Sequence, residues 1–88
     1  MPYTIRIAPA AEREIQKLSR QIQRRILDRI EELRTAPRTH GAEKLKGKGS
    51  DAFYRVRVGD YRIIYEIADE ALTVLVAKVG NRRDVYRS

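Results

Sequence analysis

The chain has 88 residues, 42% hydrophobic and 35% charged, with a net charge of +7 and no cysteine. That is room for one domain with one small core, spanning 1–88; a disulfide framework, a thiol nucleophile and a thiolate metal site are all excluded. The first residues, Met-Pro-Tyr-Thr-Ile-Arg-Ile, contain no long apolar run, which argues against a signal peptide or membrane span and for a cytoplasmic protein.

Tyr3, Ile5 and Ile7 alternate with Thr4 and Arg6, the pattern of a short strand. Pro9 suits the first turn of a helix because its φ is already fixed near the helical value. Ala11, Ile15 and Leu18 then lie on one helical stripe. Ser19 breaks this helix and can cap a second one. In that second helix Ile22, Ile26, Ile30 and Leu33 form the apolar stripe, with Leu27 widening it, while Arg20, Arg24, Arg25, Asp28, Glu31 and Glu32 cover the other side. Arg34-Thr35-Ala36-Pro37 ends it. The short link predicts an antiparallel helix hairpin.

Residues 38–51 read as a loop, with Gly41, Gly47, Gly49 and alternating Lys44, Lys46 and Lys48. Three strands follow, over 53–58, 61–67 and 72–79. Gly59-Asp60 has the form of a tight hairpin turn, and Asp69-Glu70 is expected to turn the next hairpin. The tail from Gly80 is polar and basic. Two amphipathic helices need a sheet face to bury their stripes, and the C-terminal meander supplies one. The expected fold is α+β: an N-terminal strand, then a two-helix hairpin packed on an antiparallel meander.

A two-residue turn at Gly59-Asp60 fixes the register. Val58 then pairs with Tyr61, Arg57 with Arg62, Val56 with Ile63 and Arg55 with Ile64. Directly paired residues share a sheet face. Val56, Val58, Tyr61, Ile63, Tyr65 and Ile67 fall on one face, expected beneath the helices. Arg55, Arg57 and Arg62 fall together on the other, with Phe53. Like charges placed directly opposite repel, so folding gains nothing from Arg57 beside Arg62. With Glu66 the only acid expected near them, these guanidinium groups point to an external anion, and phosphate fits best. The whole chain leans the same way: 14 arginines against 5 lysines, and the planar guanidinium fork matches phosphate oxygens. Lys44, Lys46 and Lys48 can grip an RNA backbone or simply form a solvated loop.

The last strand runs into Arg82, Arg83 and Tyr86. A tail leaving it can fold over the arginine face, where nearby guanidinium groups would favour the Tyr86 phenolate; packing at the chain end accounts for the tyrosine equally well. RNA can be cut without a metal ion when its 2′-OH attacks the adjacent phosphate. That requires a base, donors to the phosphate oxygens, and an acid for the leaving 5′ oxygen. The single histidine, His40, reads as a solvated loop residue, and no metal-ligand spacing is present. Gly47-Lys48-Gly49-Ser50 lacks the full phosphate-loop spacing.

Three segments together, Leu45-Lys46-Gly47, the run from Tyr54 to Ile67, and Val79-Gly80-Asn81-Arg82-Arg83-Asp84-Val85-Tyr86, resemble the RelE/ParE superfamily of toxins over nearly the whole chain. The Tyr-Arg-x-x-Tyr core stands here as Tyr61 to Tyr65, and the Arg-Arg-x-Val-Tyr ending resembles the RelE branch. The resemblance implies a type II toxin that cleaves mRNA in the ribosomal A site, with no metal or other cofactor. It implies that Arg55 and Arg57 bind phosphate or donate the proton, and that Arg62 stabilises transition-state charge. Arg82 stands as the basic residue after the last strand, with Arg83 its neighbour, and Tyr86 as the base or a stacking group. Lys46, Lys44, Lys48 and Phe53 would hold RNA. Some relatives carry lysine where Arg55 and Arg57 stand, and arginine donates a proton less readily, so Arg57 is suited to an electrostatic role. The implied partners are a cognate antitoxin, the ribosome and mRNA, with no membrane. The alternatives are a ParE-like, non-enzymatic inhibitor of DNA gyrase and a basic RNA- or ribosome-binding module without chemistry.

Overall fold

The computed structural model describes residues 2–45 and 52–81. In chain order the elements are β1 (Thr4–Ile7), α1 (Pro9–Gln16), α2 (Arg20–Leu33), β2 (Glu43–Lys44), β3 (Ala52–Val58), β4 (Tyr61–Ala68) and β5 (Thr73–Asn81). The α+β layout, with an N-terminal strand, two helices and a C-terminal, mostly antiparallel sheet, is the expected one.

Pro9 occupies the start of α1, which has no side-chain cap and carries Glu12 in its first turn. Ser19 caps α2, its Oγ accepting from the Ile22 amide at 3.3 Å. Ala11 and Ile15 of α1 and Ile26, Ile30 and Leu33 of α2 are buried on one face of the sheet, against Val56, Val58, Ile63, Tyr65, Ile67, Val74, Val76 and Val79. Leu27 departs from the expected stripe. It is 44% exposed, because a residue next to Ile26 is turned about 100° around the helix axis.

The sheet order is β1-β5-β4-β3-β2. β1 lies at one edge, parallel to β5, with Ile5 opposite Val74 and Ile7 opposite Val76. β2 forms the other edge inside the segment expected to be all loop, with Glu43 opposite Arg55 and Lys44 opposite Tyr54. The β3–β4 register is the expected one throughout. Gly59 starts the turn with φ of 59°, a value that glycine adopts without steric cost.

The β4–β5 hairpin turns at Asp69-Glu70 as expected; Ala68 pairs with Thr73, so residues 69–72 make the connection and β5 begins one residue later than expected. Leu72 belongs to that turn, with φ of 47°. A register shift follows at Ile64/Tyr65: Tyr65 pairs with Val76 but Ile64 with Lys78. One extra residue on β5 thus resets which side chains share a face.

A polar clasp ties the ends of these elements. Asp69 accepts from the Tyr3 hydroxyl at 2.7 Å and from Arg38 Nη2 at 2.7 Å. Arg38 also donates to the Tyr54 hydroxyl at 3.1 Å. The Arg38 hydrogen bond, and then that of Tyr3, hold the Asp69 carboxyl below the usual carboxylate range. Beside the clasp, the fully buried Tyr65 stacks on Tyr54 at 5.9 Å and donates its hydroxyl to the Pro37 carbonyl at 2.7 Å. Burial pushes the Tyr65 phenol up to about 12.

Candidate functional site

The candidate site lies on the sheet face opposite the helices. Strand alternation puts Phe53, Arg55 and Arg57 of β3 there, with Arg62, Ile64 and Glu66 of β4. Arg57 and Arg62 are direct cross-strand partners, and Arg55 lies opposite Ile64. Arg57 is exposed, whereas Arg62 is only 4% exposed. A buried guanidinium acts through a weaker dielectric than a solvated one and needs little reorganisation to meet a charge.

An acid sits among the arginines, where none was expected between them. Glu43 pairs with Arg55 across the β2–β3 edge, and its Oε1 lies 3.2 Å from Arg55 Nη2. The hydrogen bond from Arg55, with smaller effects from Arg57 and Arg62, holds the Glu43 carboxyl below its ordinary range. All three guanidinium groups therefore act on this one carboxylate. Glu43 was missed because a two-residue strand inside a Lys/Gly-rich segment carries no periodic signal.

Lys78 was missed for a different reason. The residue pattern over 72–79 sets no register against β4. With the observed four-residue turn and bulge, Lys78 lies opposite Ile64, in one row with Arg55, and Gly80 lies opposite Arg62. Arg6 joins the same face from β1 through its partner Leu75, which pairs in turn with Glu66.

Among the other expected site residues, Phe53 is half-buried, opposite Glu66. Lys44 is exposed and pairs with Tyr54, which places it on the helix side of the edge strand, away from Arg55. Lys46, Lys48, Arg82, Arg83 and Tyr86 lie outside the described residues. His40 is exposed, and its backbone carbonyl accepts from Arg29 at 3.5 Å. Arg57 also borders a cleft of about 350 Å³ between α2 and the end of β3, shared with Arg25, Asp28, Arg29, Glu32 and Gly59. Among the described residues there is no group of three or more His, Cys, Asp or Glu able to hold a metal ion, and no helix is long and apolar enough to cross a membrane.

Chemically, this face offers fixed donors and positive charge to an anion. Guanidinium groups do not release protons under these conditions, so the arginines can bind and stabilise charge but not carry out proton transfer.

Residues 5–86 match the family model described as the ParE toxin of the type II toxin–antitoxin system parDE. The chain belongs to the RelE/ParE toxin superfamily. It is a type II toxin of the RelE kind, as its relatives indicate. The toxin is 34% identical to toxin RelG of Mycobacterium tuberculosis, over 99% of each chain. It is 30% identical to the mRNA interferase toxin RelE of Escherichia coli K12, over 98% of this chain and 92% of the relative. Its fold matches RelE of the archaeal RelE–RelB complex from Pyrococcus horikoshii OT3, with a TM-score of 0.81 at 29% identity, covering 93% of this toxin and 97% of that chain.

Proposed function

We propose that this toxin is a ribosome-dependent endoribonuclease that cuts mRNA in the A site, without a metal ion, through attack of the RNA 2′-OH on the adjacent phosphate. The observation that carries this reading is the Arg57–Arg62 cross-strand pair with Arg55 in the next row. Like charges placed directly opposite repel, and a bound phosphate would add to the compensation that Glu43 supplies. In this reading Arg62 stabilises the charge that develops on the phosphate oxygens, since it is the most deeply buried of the three. Arg55 and Arg57 hold the backbone, Arg82 or Arg83 adds charge from the tail, and Tyr86 takes the 2′-OH proton. Phe53, Lys46 and Lys48 contact flanking RNA. The requirement for a 2′-OH makes RNA the substrate rather than DNA.

The partners are mRNA, the ribosomal small subunit and a cognate antitoxin, in the cytoplasm. Two lines support the antitoxin: solved relatives include a RelE–RelB complex, and an acidic segment laid on a +7 protein gains from charge complementarity. Glu43 already contacts Arg55, which illustrates how a partner's carboxylate would occupy the same groups.

A second reading, inhibition of DNA gyrase without chemistry, is favoured by the ParE family-model match. The arginine face argues for the nuclease, because gyrase binding has no need of three guanidinium groups placed for phosphate. The deciding experiment incubates purified toxin and its Tyr86→Phe variant with a defined message, with and without programmed ribosomes. The nuclease reading expects cleavage only with ribosomes, and less of it from the variant. An intact message from a toxin that still arrests growth would move the assignment to gyrase.

A further inference from the structure

Cleavage by 2′-OH attack needs a proton for the leaving 5′ oxygen, and among the described residues the three arginines of this face are poor sources. A guanidinium keeps its proton, which sets aside Arg55, Arg57 and Arg62. The Glu43 carboxyl is held below its ordinary range by Arg55 and, more weakly, by the other two arginines, so it is ionised and can only accept. Glu66 lies opposite Phe53, two residues along β3 from Arg55.

Among the described residues Lys78 remains, and the bulge puts it there. Opposite Ile64, it stands in the Glu43–Arg55–Ile64–Lys78 row that crosses four strands. It is also diagonal to Arg62, whose own partner on β5 is Gly80. Diagonal neighbours lie about 7–8 Å apart and long side chains bridge them. Glycine adds no side chain on the far side of Arg62, so the lysine stem can reach toward the same point. Lys78 is half-buried and makes no hydrogen bond or ion pair with the described residues. An ammonium on a flexible four-carbon stem releases a proton far more readily than a guanidinium does.

We propose that Lys78 is the general acid of the cleavage reaction, donating an Nζ proton to the 5′ oxygen as it leaves. This assignment rests on the nuclease reading above. The base removes the 2′-OH proton, and the 2′ oxygen bonds to phosphorus. The bond from phosphorus to the 5′ oxygen breaks, with its electron pair on that oxygen, which takes the Lys78 proton. The products are a 2′,3′-cyclic phosphate and a 5′-hydroxyl, and solvent water restores the lysine proton. Arg55 and Arg57 then act only as charges.

The test compares wild type, Lys78→Arg and Lys78→Met in single-turnover cleavage on programmed ribosomes. Each is given an ordinary message and one in which sulfur replaces the scissile 5′ bridging oxygen. A thiolate leaves without a proton, so that message has no need of an acid. Both variants are expected to lose on the order of a hundredfold or more on the ordinary message and to match wild type on the sulfur message. Full activity of Lys78→Arg on the ordinary message would show that only charge matters and overturn the proposal. So would equal losses on both messages, which mark a binding or structural role. Failure of the wild type to cut either message while it still binds ribosomes would remove the nuclease reading, and Lys78 with it.

Discussion

Removing the hydroxyl of Tyr65 tests how the fold holds the segment that leads to β2. Tyr65→Phe keeps the ring, its burial and its stacking on Tyr54, but deletes the 2.7 Å hydrogen bond to the Pro37 carbonyl. A buried acceptor left without its donor costs about 1–3 kcal/mol. For a domain of this size each kcal/mol lowers Tm by roughly 4–8 °C, so the variant should melt at least several degrees lower. Alkaline pH supplies an independent check. Burial raises the folded-state phenol to about 12, so the tyrosine stays protonated in the folded chain at pH values where the unfolded chain has already lost the proton. The stability it contributes is complete below about pH 10 and falls as pH rises toward 12, by at most about 3 kcal/mol. Urea unfolding followed by circular dichroism, at pH 7.5 and across pH 9.5 to 11.5, reads both effects. Tyr65→Phe should start lower and fall less steeply. Equal midpoints at pH 7.5, or parallel pH curves for the two proteins, would refute the reasoning.

Arg62→Ala should lower the cleavage rate on the order of a hundredfold through lost charge stabilisation, with ribosome binding little changed; equal losses of binding and cleavage would contradict its assignment to the transition state. Glu43→Gln removes the negative charge that Arg55 meets at 3.2 Å, so filter binding should show tighter association with ribosomes at low salt and a steeper salt dependence. Unchanged affinity would mean that Arg55 does not meet phosphate. Leu72 holds φ of 47° in the β4–β5 turn, where asparagine is better tolerated. Leu72→Asn should therefore raise the urea midpoint by the equivalent of about 0.5–1 kcal/mol, and a lower midpoint would show that the leucine's contacts outweigh the strain.

Local rules were enough for the helices and for the first hairpin. Pro9 and Ser19 mark helix starts by properties they carry alone, and Gly59 sets a turn whose length dictates every partner from Val58–Tyr61 to Ala52–Ile67. The arginine face followed from that register. Where a side chain's place depends on distant elements, the sequence was silent. The two-residue strand β2 exists because it can pair with β3, and it alone brings Glu43 to Arg55. The β5 register depends on a bulge and on a turn closed by Leu72 at positive φ, a conformation leucine does not advertise, and this concealed Lys78. Tyr61 and Tyr65 of the Tyr-Arg-x-x-Tyr core divide from Arg62 in role: the tyrosines pack on the helix side and only the arginine faces the site. The Arg38–Asp69–Tyr3 clasp joins residues 31 and 66 positions apart in sequence, beyond the reach of any local pattern.

The central claim is that the arginine face cuts RNA by recruiting the message's own 2′-OH on the ribosome. The most direct measurement compares two messages on programmed ribosomes, one all ribonucleotide and one with a single 2′-deoxy sugar at the A-site nucleotide that precedes the cut. The all-ribonucleotide message should be cleaved to a 2′,3′-cyclic phosphate and a 5′-hydroxyl, and the substituted message should stay whole at that position. Cleavage at the deoxy position, or ends bearing a 5′-phosphate, would contradict the account.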